Sequence, residues 1–519
     1  MPLSSMLLWV VFAVFVVATL ALAVYGLHLY VLLVLFRRQS KHHRVRQGFT
    51  ILQYARNTDD AAWPRVTSQI PVFNEADVAV RVIEAVAAIQ YPAGKHEIQV
   101  LDDSTDHTRD IIDQVAARLV ARGVDAKVIR RADRTGYKAG ALSHGLATAT
   151  GKYVAIFDAD FVPPASFLRK AVPLLESDSK MACLQGRWTH LNRFESWLTS
   201  AQALGIDGHF AIEQGARAWN GLMMNFNGTA GVWRKAAIDD PAVGGWSGDT
   251  LTEDLDLSYR AQLAGWRLEY SLDLPCPAEL PGTVAALKSQ QRRWATGSIQ
   301  VARKLLPRIW KAPISWEEKI EATLHLTHYS VALWMLILAL VARPMLLIFA
   351  DARLFTGWAW AIWGVILLSA FAPSLVYAYA RYSLDGRWSG LRTIPSMLVL
   401  GCGLCLNNAI AVLRGLRLRG GEFVRTPKSG SAGFQRKRSS YVTSACGLWI
   451  GELALGVYAA FSFVLCFTQY HRAFSFFLLV YAVGFVVIGW LSRPRRLRDD
   501  ANESESMDVP TLIGAEAST

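Results

Sequence analysis

The chain has 519 residues, 52% of them hydrophobic and 18% charged, and its 54 Lys and Arg against 42 Asp and Glu give a formal net charge of +12. With a mean hydropathy of +0.23, this composition excludes an ordinary soluble globule and an intrinsically disordered chain, and points to a membrane protein. The surplus positive charge sits largely beside apolar runs, so it calls for no nucleic-acid partner.

Met6 to Phe36 is an almost uncharged apolar run, longer than the roughly 20 residues a tilted helix needs to cross a bilayer. It is too long for a signal-peptide core, and no small-residue cleavage site follows, so residues 1–40 read as a retained transmembrane anchor. The basic run RRQSKHHRVR directly after it places the next segment in the cytoplasm and the amino terminus outside.

Residues 41–305 have the mixed composition of one soluble domain. Short β-type runs end in polar residues at VTSQIPVFNE, EIQVLDDSTD, AKVIRRADRTG, KYVAIFDADF and KMACLQGRW. Helical spacing appears between the earlier ones, at Ala76 to Ala88 and Thr108 to Arg122. This alternation predicts an α/β fold with a mostly parallel sheet covered by helices, with ligands gathering at the carboxyl ends of the strands.

Three acidic groups stand at such ends. LDDSTD puts Asp102 and Asp103 after a strand, where an Asx turn or a cap for the helix near Thr108 is the plain alternative. IFDADF ends a buried strand with Asp158 and Asp160. Like charges that close repel, and a hard cation, Mg²⁺ or Mn²⁺, bridging them to a diphosphate is the common remedy. GDTLTEDLDL starts a helix with Thr252 as a plausible cap and with Glu253 and Asp254 in its first turn. Acidic residues there complement the helix dipole, and a carboxylate so held is also well placed as a general base.

KSQQRRWATGS, residues 288–298, packs amides, guanidinium groups and an indole together, a set able to hold a diphosphate and a sugar. Beyond it, 306–325 reads as an interfacial helix region and 326–380 as two transmembrane helices, the first containing Pro344. A run at 394–413 contains Asn407 and Asn408, costly in hydrocarbon, and is expected to lie along the interface, which keeps both later basic segments on the cytoplasmic side. Two more spans follow in 447–491, and a polar, acidic tail, 492–519, is expected to be disordered. Cys402 and Cys405 form a CxxC without a second ligand pair, so no zinc or redox centre is expected.

The order of DD, DxD, TED and QQRRW, together with GYKAGAL, QGRW and FNGTAGVWR, resembles the processive β-glycan synthases of glycosyltransferase family 2, the cellulose synthase superfamily. The likeness is greatest to the mannan or glucomannan synthase and xyloglucan-backbone glucan synthase branches. It implies a GT-A type transferase domain between transmembrane helices, in the plasma or inner membrane, with the catalytic domain cytoplasmic. The implied activity is inverting, processive transfer from UDP-glucose or GDP-mannose to a growing polysaccharide that is passed across the bilayer. The alternative is a non-processive glycolipid synthase acting on ceramide or diacylglycerol.

The resemblance also implies roles for individual residues. Asp103 and Lys138 would contact the nucleotide, Asp158 and Asp160 would hold the diphosphate through the metal, and Asp254 would take the acceptor proton. Arg293 would meet the departing diphosphate, with Arg292 left to reach lipid phosphates. Trp294, Gln290 and the segment Asn227, Gly228 and Thr229 would bind the acceptor. EFVRTPKSG, within 421–430, resembles a mobile gating loop whose Thr426 and Lys428 would touch phosphate. Arg187 and Trp188 of QGRW depart from the cellulose synthase form.

Overall fold

The computed structural model describes residues 3–348, 357–417, 420–421, 424, 426–430, 441, 447–469 and 472–494. Most of the expected disordered tail, from 495 on, and positions 422, 423 and 425 of the gating-type loop lie outside the described residues.

All five β-type runs form strands: β1 Val66–Val72, β2 His96–Asp102, β3 Ala126–Ile129, β4 Tyr153–Ile156 and β5 Met181–His190. Two further strands, β6 Gly231–Arg234 and β7 Arg267–Ala278, complete a seven-stranded sheet of order β3-β2-β1-β4-β6-β5-β7. Pairs β1–β2, β2–β3, β1–β4 and β5–β7 are parallel, while β6 runs antiparallel to β4 and β5. The sheet is therefore mixed but mostly parallel, with apolar side chains on both faces as parallel strands require.

Helices Ala76–Ala87 and Thr108–Ala121 cover one side, each turning an apolar stripe inward: Val78, Ala79, Val82, Ile83 and Val86 on the first, Ile112, Val115 and Leu119 on the second. The carboxyl ends of β1, β2 and β4 converge beside the reversal at β4–β6, where a crevice opens.

The amino-terminal helix is one element, Leu3–Asn57, of 55 residues, about 80 Å long at 1.5 Å per residue. Its polar half runs down the outside of the sheet domain, where Arg44 makes a two-point ion pair with Asp273, both bonds 2.8 Å, and Gln47 donates to the Tyr270 carbonyl at 2.9 Å.

Four helical segments among the described residues are long and apolar enough to cross a membrane: Leu8–Asn57, Gly364–Asp385, Trp388–Arg417 and Trp449–Thr468. Trp316–Thr327 and Ser330–Met345, bent by 62°, make a fifth if counted as one broken span, and Ser475–Leu491 is a shorter apolar helix.

Of the two asparagines that argued for an interfacial 394–413 run, Asn407 is enclosed by protein. Asn407 is fully buried, donates to the Lys288 carbonyl at 3.1 Å and accepts from Arg292 at 2.9 Å. Protein, rather than surface water, satisfies it. The same bond corrects the expectation for Arg292: its guanidinium turns into the protein, not toward lipid phosphates.

Candidate active site

The crevice is built from loops that follow strands. At the end of β2, Asp102 is consumed by structure: its carboxylate accepts from Ser104 N at 2.9 Å and from Arg130 Nε at 2.8 Å. Asp103 faces the pocket and meets Arg131 through two bonds of 2.8 and 2.7 Å. Arg131 also donates to the carbonyls of Thr135 and Tyr137, so one guanidinium ties the β2 end to the GYKAGAL turn. The fit there is tight: a Cβ on Gly140 would lie 2.3 Å from Arg131 Nη1 and 2.0 Å from Thr135 O. Arg134 lies across the Phe73 ring and lines the same pocket.

That turn delivers Lys138, whose ammonium donates to Asp158 and to the Gly228 carbonyl, the latter at 3.0 Å. Burial works against the charge of Lys138, but Asp158 and Glu253 outweigh it and its pKa rises. Asp158, just past β4, is shifted up by burial despite its lysine partner. Asp160, two residues on, meets Lys428 at 2.7 Å. Thr229 does not line the pocket: it is fully buried and its hydroxyl accepts from the Asp158 N–H at 2.8 Å. It positions the strand end instead of presenting itself to an acceptor.

The TED helix, Glu253–Leu263, brings Asp254 to the opposite wall. Thr252 occupies the cap position, but its hydroxyl makes no cap hydrogen bond, contrary to its expected role. Loss of water around the Asp254 carboxyl, then the neighbouring Glu253 charge, push its pKa up to about 7, against the pull of Lys138. Gly228 lies against it with φ +83°, and a Cβ there would come within 2.9 Å of Asp254 Oδ2.

The helix Val284–Lys311 carries QQRRW. Arg293 donates to the Val424 carbonyl at 3.4 Å, and burial lowers its pKa from the ordinary guanidinium value. Gln290 and Trp294 line the crevice, with the Trp294 ring 6.5 Å from that of Trp188. Trp188 stacks on Phe210 at 4.9 Å and meets Phe161 edge-on at 5.1 Å, an aromatic wall beyond Trp294. Arg187 faces away and donates to the Leu272 carbonyl. Of the loop residues, Thr426 and Lys428 both reach the pocket, and the Thr426 hydroxyl is buried with no hydrogen-bond partner among the described residues.

Behind this crevice lies a second cavity of about 860 Å³ between the apolar helices. Asn227, Asp254, Gln290 and Trp294 line both spaces. They mark the doorway between a polar crevice and a mostly apolar passage.

Three residues of the site escaped sequence reasoning in their roles. Glu253 lies 4.0 Å from Lys138, and its place beside Asp254 in TED was the available signal. Phe210 of the aromatic wall and the buried Glu279 of the crevice lining carry no local motif.

Carboxylates at the ends of a mostly parallel sheet, an arginine and two lysines converging on them, and apolar helices behind define a GT-A type glycosyltransferase. The profile described as "Glycosyltransferase like family 2" matches residues 64–297. The chain is 42% identical over 250 residues to "Glucomannan 4-beta-mannosyltransferase 9" of Arabidopsis thaliana, a match covering 47% of this chain and 46% of that relative. It is 33% identical over 451 residues to "Probable glucomannan 4-beta-mannosyltransferase 9" of Oryza sativa subsp. japonica, covering 83% and 82% of the two chains. The chain belongs to glycosyltransferase family 2. Its match spans about half the length of the first curated relatives. Among solved structures, "Mannosyltransferase PcManGT from Pyrobaculum calidifontis in complex with GDP-Man and Mn2+" aligns with a TM-score of 0.46 at 19% identity, over 76% of this chain and 99% of that one.

Proposed function

We propose that this glycosyltransferase moves a mannosyl or glucosyl unit from GDP-mannose or UDP-glucose onto the end of a growing β-linked mannan, glucomannan or glucan, and leads the product out between its own membrane helices. The observation that carries this reading is the doorway: Asp254 stands where the charged crevice opens into the 860 Å³ cavity, beside Trp294, Gln290 and Asn227. A sugar resting on the Trp294 face would present its hydroxyl to Asp254 and have the rest of its chain behind it.

Asp254 acts as the base that accepts the acceptor's proton, a role suited by a pKa near 7. Attack from the acceptor side, with the diphosphate leaving from the opposite side, inverts the anomeric centre. Arg293 and Lys138 offset charge on the departing diphosphate, and Asp103 with its arginines is the nucleotide end of the crevice. Trp294 offers an apolar sugar platform with Gln290 as a hydroxyl partner, and Asn227 and Gly228 bound the acceptor's path.

The donor set also fits a divalent cation. Among the described residues no group of three or more His, Cys, Asp or Glu side chains is arranged to hold an ion, and Asp158 and Asp160 are the carboxylate pair that follows β4 into the crevice. Two carboxylates completed by substrate phosphates and water are what Mg²⁺ usually takes, and Mn²⁺ accepts the same oxygen donors. Bound there, the cation would neutralise diphosphate charge. The basic flank after residue 36 supports a cytoplasmic catalytic domain, and the four long apolar helices support multi-pass insertion in the plasma or inner membrane.

The test is incorporation of label from GDP-[¹⁴C]mannose and UDP-[¹⁴C]glucose by purified protein in lipid nanodiscs. High-mass product digested by a β-mannanase or β-glucanase is expected. Label confined to the organic-extractable lipid fraction overturns the polymer reading in favour of a glycolipid synthase.

A further inference from the structure

The amino-terminal helix Leu3–Asn57 turns one side to the rest of the protein, burying Ala18, Gly26, Leu32, Phe36 and Gln47. Its other side is open, and the open side follows a strict order. Val10, Val17, Val24, Val31, Val45 and Leu52 recur at intervals of seven, broken only by Arg38, and Leu20, Leu27 and Val34 fall three residues after the second, third and fourth of them. All of these apolar side chains are between 38% and 66% exposed among the described residues. They form a seam with heptad spacing.

Within the bilayer lipid tails cover such a seam, so the apolar half by itself names no partner. The polar half does. The apolar run ends at Phe36, and Val45 and Leu52 lie ~14 and ~24 Å further along the axis at 1.5 Å per residue. The headgroup layer is only roughly 6 Å deep on each side. Yet Val45, Phe49 and Leu52 remain 66%, 65% and 59% exposed, an apolar stripe that acyl chains do not reach. Between them a Cβ on Gly48 would meet nothing within 4 Å, which leaves room for a second backbone to come close.

We propose that the occupant of this seam is the same helix of a second copy, paired parallel and in register from Val10 to Leu52. Every copy inserts with the orientation set by the basic run after Phe36, so two such helices can meet only in parallel. Valine at the first and leucine at the fourth heptad position is the pattern that parallel two-stranded coiled coils use. The apolar seam offers on the order of 1,000 Å² per copy, against ~800 Å² per partner in a specific interface. Arg38 and Lys41 interrupt it at headgroup level, where their long stems turn outward to lipid phosphates. A polar residue at a single core position also fixes register, at some loss of stability. Gln47, which binds the Tyr270 carbonyl, lies on the opposite side of the helix, so each copy keeps its hold on its own sheet domain.

The test is disulfide formation under mild oxidation in native membranes, since a parallel seam brings each residue against itself. Val24→Cys, Val45→Cys and Leu52→Cys are compared with Arg46→Cys and Gln53→Cys, which are exposed but sit about 100° round the helix from the seam. Wild type, whose described cysteines are all buried, is the blank. The three seam positions should give several times the covalent dimer of the two flanking ones. Photobleaching of singly labelled chains in lipid nanodiscs should count two per particle for wild type and one for Val45→Glu with Leu52→Glu, whose melting temperature should match wild type because both positions are exposed. No dimer from the seam cysteines, or equal yield from seam and flanking positions, overturns the pairing. Cross-linking confined to Val24→Cys overturns the continuous seam. A single chain per particle in wild type, with Val45→Cys shielded from maleimide, assigns the stripe to another segment of the same chain and overturns the second copy.

Discussion

Asp254 reaches a pKa of about 7 because the crevice strips water from its carboxyl and Glu253 adds a second negative charge beside it. For a base that must be ionised, kcat/KM should fall tenfold per pH unit below about 7 and level off above it, as a pH–rate profile of the free enzyme would report. Asp254→Asn should lower kcat by about 10²–10⁴-fold while nucleotide-sugar binding, measured by calorimetry, changes little; lost binding in a folded variant would move Asp254 to the donor site. The same shift has a stability sign. A carboxyl with a raised folded pKa destabilises the fold once ionised, so stability is lost as pH rises through about 7. The melting temperature of Asp254→Asn should therefore equal or exceed that of wild type at pH 8. Gly228→Ala meets two obstacles, a φ of +83° and a Cβ 2.9 Å from Asp254 Oδ2. It should impair kcat far more than a Gly→Ala change at open, exposed Gly48.

At the scale of elements, the helix Val284–Lys311 explains why its motif is so polar. One face of QQRRW serves the crevice, and the other ties the helix to its neighbours. Lys288 pairs with Glu452 at 2.7 Å, both fully enclosed, Arg292 bonds Asn407, and Gln300 donates to the Gly420 carbonyl at 2.7 Å. Trp294, the proposed sugar platform, is thus carried on a helix tied to Ile394–Arg417 and Trp449–Gln469. Removing one partner of a buried pair leaves an uncompensated charge and costs about 3–5 kcal/mol. Glu452→Ala should accordingly lower the detergent melting temperature sharply, and Lys288→Met with Glu452→Met should recover much of the loss. No recovery in the double variant would show that the two side chains act separately.

At the scale of the whole molecule, the amino-terminal helix runs unbroken from its apolar half onto the sheet domain, where Arg44 and Gln47 hold β7. The sheet domain is therefore held directly against the polar half of this helix. A cysteine placed at exposed Ala93 should react with a membrane-impermeant maleimide only after cells are permeabilised; labelling of intact cells would invert the proposed orientation.

Much of this was legible in local pattern. Apolar length marks helices able to cross a membrane, β-branched runs ending in polar residues mark β1 to β5, and the order of acidic motifs marks the family, because each signal lies within a few consecutive residues. β6 and β7 were not legible: β6, GVWR, opens on a glycine and ends on an arginine with no run of β-branched residues, and the alternation in β7 is interrupted by two prolines and an exposed aspartate. The occupants of each charge were also hidden. Lys428 on Asp160, Lys288 on Glu452 and Arg292 on Asn407 join residues more than 100 positions apart. Sequence alone determined which chemical groups this protein owns and which segments are apolar. Only the tertiary structure decided which charge faces which, because the strand order β3-β2-β1-β4-β6-β5-β7 and the packing of the membrane helices set those distances, and neither leaves a periodic trace in the chain.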